Sequence, residues 1–520
     1  MKILFRRSLT TAVALALAVA PLPPRLGSAA VAQSLPELPT LGEVAADDLS
    51  PANERKLGEA IMRQVARDPA YLPDPEATEY LNAIGYQLVA NSPARHMDFA
   101  FFAVRDSMIN AFALPGGFIG IHSGLVLAAQ SESELAGVMA HEIAHVEQRH
   151  IARMLAKQKE STAIAIGALL LALLAARSNS SSSGDLTQAA ILGGQAAAMQ
   201  QQLNFSREAE READRVGFQI LINAGFDARG MGTFFGRMQQ ASRIYESGTA
   251  PAYLRTHPLT VERISDMQTR VSEARVRQRA DSLDFTLTRA RLRVLQDPTA
   301  QGARDAQVHF ATQLRDRTAA SETAAQYGLA VALLRLDEPQ RALEAAQAAR
   351  RLARDQPAPM LDKLVSEARF AAAKTPAERE AAIAMARDAA AKYPLSRLTA
   401  INYVTLLQRD ERHEDAVAYL RDQLALPRSD TNYYSMLARS YAALGQRTRQ
   451  HQAVAEAYLL LGAVPAAVEQ LQFARTAADA DFYVMSEVDA RLRQLTQQVK
   501  EQREELARQG QRPPDEPQKR

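Results

Sequence analysis

A mostly helical α+β domain with one small β sheet, followed by an all-α array of helical repeats, is the architecture that this 520-residue sequence predicts. Three observations carry it. Strand-like composition is confined to one stretch between about residues 98 and 122, and capped, strongly helical segments flank that stretch. Beyond about residue 285, alanine- and leucine-rich helices recur with few strand signals, which is how a repeat array reads. At 47% hydrophobic residues, a chain this long exceeds one ordinary core and calls for two or three domains.

The first residues, Met1 and Lys2 with Arg6 and Arg7, precede an apolar run from Leu9 to Ala20 and then Ala30-Val31-Ala32 before Gln33. Residues 1–32 therefore read as a cleaved secretory signal peptide, so the mature protein is expected to be exported. A cut after Ala18-Val19-Ala20 competes with the later one. The chain holds no cysteine, which excludes disulfides, thiolate metal sites and a lipid-modified cysteine. Loss of residues 1–32 removes Lys2, Arg6, Arg7 and Arg25 and no acids, leaving 57 basic against 59 acidic residues. A net charge of about −2 gives no case for nucleic-acid binding.

A proline-containing linker occupies 33–50, and residues from about 51 to 92 read as helical. Asp98 to Val104 and Ile109 to Leu114 have strand composition, Pro115-Gly116-Gly117 is a turn signal, and Phe118 to His122 is the return strand. Ser131 with Glu134 forms a capping box that opens a long helix toward Lys157. Ala163 to Ala176 is apolar but short of the roughly 20 residues that span a bilayer. With the Ser-rich tip Ser178 to Gly184 and the arm Leu186 to Met199, it reads as a hairpin, either packed on the domain or making peripheral membrane contact through 163–199. A further helix runs from about Ser206 to Ala224-Gly225. Leu329, Ala330, Leu333, Ala342, Ala346 and Ala349 then fall at the packing positions of a tetratricopeptide unit. Ala382-Ile383 and Ala416-Val417 recur at 34 residues with Pro394 closing the first, and Ala455, Tyr458, Gly462, Ala467 and Leu471 match in a shifted phase. The array is assigned 285–497, and the charged, aperiodic stretch 498–520 reads as a disordered tail.

The chemistry concentrates in His141-Glu142-Ile143-Ala144-His145. On a helix, His141 and His145 share a face and can reach one ion, while Glu142 is placed to take a proton from water activated by that ion without binding it. Glu210 and Asp214 share a face of a later helix, so Glu210 could be the third ligand and Asp214 could orient a ligating histidine. Gly217 extends that face and permits close helix approach. His150, five residues after His145, points away from the metal face on a continuous helix and is expected at the surface.

Together with Asn110-Ala111-Phe112-Ala113-Leu114-Pro115-Gly116-Gly117 and Thr256-His257-Pro258-Leu259, these motifs resemble the M48 family of gluzincin zinc peptidases. The resemblance implies a catalytic domain over 51–280 with one zinc ion per chain on His141, His145 and Glu210, and Glu142 as general base. It implies a sheet whose edge strand, Phe118, Ile119, Gly120, Ile121 and His122, pairs with extended substrate. It also implies that His257 lies near the metal, as a fourth ligand holding the enzyme latent or as an oxyanion donor. With a signal peptide and a repeat region, the chain is similar to periplasmic proteases of that family that act in β-barrel assembly. Polypeptide substrates, outer-membrane β-barrel proteins and their assembly machinery would then be the partners, with a chaperone-like contribution. The rival is a repeat-based chaperone or scaffold with a structural zinc, against which Glu142 argues.

Overall fold

In the computed structural model, the described residues are 50–156, 206–244, 252–275, 277–426, 430–479 and 481–508. The leader, the linker but for residue 50, the 163–199 hairpin and the last twelve residues of the tail lie outside them. No helix among the described residues is long and apolar enough to cross a membrane.

Ser50 caps α1 (Pro51–Val65) and Asp74 caps α2 (Pro75–Ala90), each with proline in the first turn where its missing N–H costs nothing. Between them lies β1 (Tyr71–Leu72), so the helical span expected over 51–92 is two helices split by a short strand. With β2 (Ala100–Val104), β3 (Ala111–Leu114) and β4 (Phe118–His122) it forms one sheet in the order β1-β2-β4-β3. β4 runs parallel to β2 and antiparallel to β3. The β3–β4 turn holds Gly116 and Gly117 at φ 74° and 88°, and a Cβ on Gly117 would lie 2.2 Å from the Asp98 carbonyl oxygen. Both conformation and space demand glycine there.

The strand order corrects one expectation. Phe118, Ile119, Gly120, Ile121 and His122 form an interior strand, buried along its length and paired on both sides, so they cannot accept an added substrate strand. Their nearly unbroken apolar run is the signature of a strand covered on both faces. The outer strand on that side is β3. The sheet's faces divide by alternation: α1 packs through Ile61 and Val65 on Phe102, Val104, Leu114 and Phe118. Phe101, Ala103, Ile119 and Ile121 enter the main core with α2 and α4 (Glu132–Glu147).

α4 follows α3 (Ser123–Ala128) and is capped by Ser131, whose hydroxyl accepts the Glu134 amide. The Glu134 carboxylate reaches back to the Gln130 amide, one residue beyond the place a full capping box requires. Nor does α4 continue toward Lys157. It stops at Glu147, Arg149 turns to φ 52°, and a separate helix α5 (His150–Ala156) begins. Arg149 is held in this strained conformation by its guanidinium contacts with Glu54 on α1. The first domain continues with α6 (Arg207–Asn223), α7 (Arg229–Ile244), α8 (Ala252–Thr256) and α9 (Val261–Glu273).

The repeat array begins with α10 (Leu283–Leu295) and proceeds through α11 (Ala300–Arg315), α12 (Glu322–Arg335), α13 (Pro339–Leu352), α14 (Pro359–Ala372) and α15 (Pro376–Lys392). It ends with α16 (Arg397–Arg409), α17 (His413–Leu424), α18 (Thr431–Ala443), α19 (Arg447–Leu460), α20 (Val464–Thr476) and α21 (Phe482–Arg508). Ala330, Leu333, Ala342, Ala346 and Ala349 share one core, and Ala382, Ile383 and Ala416 share the next, as the repeat spacing requires. Residues 498–508, expected in the tail, are helical. α21 extends to Arg508, because Leu495 is buried and Val499 packs beside it against α20, and Glu, Gln and Arg propagate the helix beyond that contact.

Two cores meet on α10, whose Phe285 and Leu292 enter the main core of the first domain while Leu287 and Val294 enter the first repeat core. The seam is ionic as well as apolar. Partly buried Arg291 bonds Asp74 at 2.7 and 2.6 Å and lies 2.8 Å from Glu76, and Lys363 of α14 reaches the same Glu76 at 3.0 Å. Further along, Ser396 and the Leu398 amide bond Glu79 of α2, and Arg63 of α1 donates to the Leu461 carbonyl after α19.

Candidate active site and metal centre

The His141-to-His145 segment occupies the C-terminal half of α4 and is wholly buried, His141, Glu142 and His145 each showing 0% exposure. α6 crosses against it at Gly217, where an added Cβ would stand 2.9 Å from the His141 amide nitrogen. This approach brings Glu210 to the two histidines. Gly217→Ala must push α6 off α4, so we expect metal affinity to fall about 10- to 100-fold, as when a ligand's support is lost. Equilibrium dialysis with competing chelator measures it.

His141 Nε2 and His145 Nε2 stand 3.0 Å apart, His141 Nε2 is 3.5 Å from Glu210 Oε2, and His145 Nε2 is 3.4 Å from Glu210 Oε1. His257, just beyond α8, adds Nδ1 at 3.4 Å from His141 Nε2 and 3.1 Å from Glu210 Oε1. The four groups offer ligand atoms all within 4.8 Å of one another. Ligand atoms about 2.0–2.2 Å from a tetrahedral centre stand about 3.3–3.6 Å apart, which is close to the spread seen here. Three imidazole nitrogens and a carboxylate converging in a buried space suit a divalent cation of the zinc type.

The outward nitrogens decide the tautomers. His141 Nδ1 lies 3.0 Å from Asp214 Oδ1, which holds a proton on Nδ1 and turns Nε2 inward as the atom that would meet a cation. Burial alone would raise the Asp214 carboxyl, but the Arg263 guanidinium and His141 more than offset it and keep it ionised. Arg263 forms a two-pronged bond to Asp214, 2.7 Å from Nε and 2.8 Å from Nη2, and its Nη1 lies 2.8 Å from Glu210 and 2.7 Å from the Pro258 carbonyl. One buried side chain therefore ties together a candidate ligand, the carboxylate behind His141 and the loop that carries His257.

His150 overturns the expectation of a surface residue. It is 3% exposed, its Nδ1 is 2.8 Å from His145 Nδ1 and its Nε2 is 3.0 Å from Glu212, which Arg153 holds at 2.8 Å. The helix break at Arg149 returns it to the site. Burial drives its pKa down to about 4 against the pull of Glu212, so it is neutral at pH 7. Its Nε2–H then donates to Glu212 and its Nδ1 accepts from His145, turning the His145 Nε2 lone pair inward.

Glu142 is the odd member. Neither carboxylate oxygen has a hydrogen-bond partner among the described residues, and burial raises its pKa. His257 Nε2 lies 3.5 Å from it. A carboxylate with no full hydrogen bond among the described residues, beside a candidate cation site yet outside the donor set, is poised to accept a proton. Sequence reasoning brought together His141, Glu142, His145, Glu210, Asp214 and His257, and the structure places all six here. It missed Arg263, whose signal was the need of two buried carboxylates for a cation, and His150, for which no glycine or proline marked the helix break.

Comparison with known proteins agrees with this geometry. Residues 75–271 match peptidase family M48. The Escherichia coli beta-barrel assembly-enhancing protease is 30% identical over 475 residues, covering 90% of this chain and 93% of that one. A Vibrio cholerae protein provisionally given the same name is 42% identical over 268 residues, 51% of this chain and 53% of its own length. A mitochondrial metalloendopeptidase of Schizosaccharomyces pombe is 29% identical over 238 residues, 45% of this chain and 65% of that one.

Proposed function

Since the chain belongs to peptidase family M48 and is a metalloprotease, we propose that it is a zinc endopeptidase of the bacterial envelope that hydrolyses misfolded or stalled polypeptides during outer-membrane β-barrel assembly. The observation that carries the reading is the wholly buried Glu142 carboxylate, which stands beside the four-donor cluster without belonging to it and makes no full hydrogen bond among the described residues. A structural site has no use for such a group.

In this reading His141, His145 and Glu210 hold the ion. When bound, zinc would lower the pKa of a water and polarise the scissile carbonyl. Glu142 accepts the proton and returns it to the leaving amine, so no covalent intermediate is needed. Asp214 and His150 hold the two histidines in the tautomers that face the centre. Export by residues 1–32, a periplasmic location and a chaperone-like use of the repeat array belong to the same proposal, supported by the leader's composition and by the names of the relatives.

His257 fills the fourth place and at the same time faces Glu142, so the conformation seen is best read as latent. His257→Ala opens both, and cleavage of an unfolded test protein such as reduced casein should rise at least about ten-fold at equal zinc content. A fall instead would assign His257 to the oxyanion.

A further inference from the structure

The pairing of β3 with β4 decides which backbone groups of β3 face outward. The His122 amide donates to the Asn110 carbonyl at 3.1 Å, so 110 and 122 are a hydrogen-bonded pair. Alternation along the antiparallel ladder then makes 112 with 120 and 114 with 118 bonded pairs. Ala111 and Ala113, and Ile109 before them, turn their N–H and C=O groups away from β4, and among the described residues no strand pairs with that side. It is the side that borders the catalytic helix. The Ala113 amide lies close enough to Glu142 to favour the charged carboxylate, though without the geometry of a full hydrogen bond.

One outward group is already taken. The Ile109 carbonyl accepts from the Tyr253 amide of α8 at 3.2 Å, the Tyr253 carbonyl accepts from the His257 amide at 2.8 Å, and the Tyr253 ring stacks on the His257 imidazole with centroids 4.7 Å apart at 25°. A short segment is thus fastened to the outer strand at one end and delivers His257 to the donor set at the other. It occupies a rung that an added strand would use and the coordination place that a substrate would use.

We infer that substrate length releases His257. An extended polypeptide that pairs with Ala113 and Ala111 and continues to Ile109 takes the Ile109 carbonyl from Tyr253, loosening α8 and withdrawing His257 from Glu210 and Glu142. Exchanging one backbone bond for another costs little, and the inner rungs supply the bias toward the open state. A peptide that stops short leaves the segment fastened. Ala113 to Ile109 spans about 13 Å at about 3.3 Å per residue, so the threshold lies near four residues beyond the innermost rung. The inference rests on the peptidase reading and names the substrates of that site as extended chains, selected by reach.

The test compares zinc-loaded, full-length wild type and His257→Ala on fluorogenic peptides that share one cleavage centre and are lengthened separately on either side. Wild-type kcat/KM should rise at least about ten-fold as one arm passes roughly four residues, whereas His257→Ala should change less than about three-fold. N-methylating the long peptide's amide opposite Ile109 should return the wild type to its short-peptide rate and leave the variant unaffected. Equal length dependence in both proteins overturns the gate while leaving the peptidase intact, as does a His257→Ala protein that cleaves nothing while wild type cleaves long peptides. No cleavage by either protein at any length removes the peptidase reading itself, and the gate with it.

Discussion

Glu142→Gln should lower kcat/KM for an unfolded protein by about 10²- to 10⁴-fold while leaving bound zinc unchanged. The amide is nearly isosteric with the carboxylate it replaces, and Glu142 lies outside the donor set, so neither packing nor affinity for the ion has reason to change. What is lost is the proton acceptor. The measurement is best made in the His257→Ala background, where latency no longer limits the rate, with zinc determined by atomic emission in the same samples. Burial raises the Glu142 carboxyl above its ordinary value of 4.5 in the metal-free site, and a bound cation would act in the opposite direction. Cleavage by the zinc-loaded protein should fall on the acid side as Glu142 takes up a proton, and this limb should be absent from the residual activity of Glu142→Gln. Zinc retained with activity unaltered would remove Glu142 from the chemistry, whereas zinc retained with no cleavage by either protein would return the scaffold reading to first place.

Much of this site is local in sequence, which explains why it was legible there. Helical spacing puts His141 with His145 and Glu210 with Asp214, and Gly217 marks the close approach that joins the two helices. Sheet order was not legible, because strand composition in Ala111–Leu114 and Phe118–His122 does not say which of two hairpin partners also meets a distant strand. β4 lies inside only because β2, arriving from before the hairpin, pairs with it in parallel. His150 escaped for a different reason. An unbroken helix would have turned it away from His145, and the break at Arg149 is imposed by a tertiary partner, Glu54, that lies 95 residues earlier. Repeat helices were read from alanine spacing, but the end of the array was not, since the packing of Leu495 and Val499 on α20 extends α21 into sequence that has no periodicity of its own.

Arg263→Met should destabilise the catalytic domain by about 3–5 kcal/mol, the usual consequence of removing one partner from a buried ion pair. Arg263 is 3% exposed and faces two carboxylates, Asp214 in a two-pronged bond and Glu210 at 2.8 Å, each itself almost fully buried. Methionine fills much of the volume, so the loss isolates charge from packing. With the guanidinium gone, His141 alone opposes the burial that raises the Asp214 carboxyl, and Asp214 holds the His141 Nδ1–H less firmly. The His141 ring then loses its orientation, and zinc affinity should fall about 10- to 100-fold. Arg263→Lys should not restore either property, because an ammonium cannot reproduce the fork to Asp214 while also reaching Glu210 and the Pro258 carbonyl. Urea unfolding of the metal-free proteins reads the stability change, and chelator competition on the folded proteins reads the affinity. Loss of affinity in Arg263→Met with stability unchanged would mean that Arg263 serves the ligands alone. Loss of stability with affinity unchanged would mean that Asp214 does not govern His141.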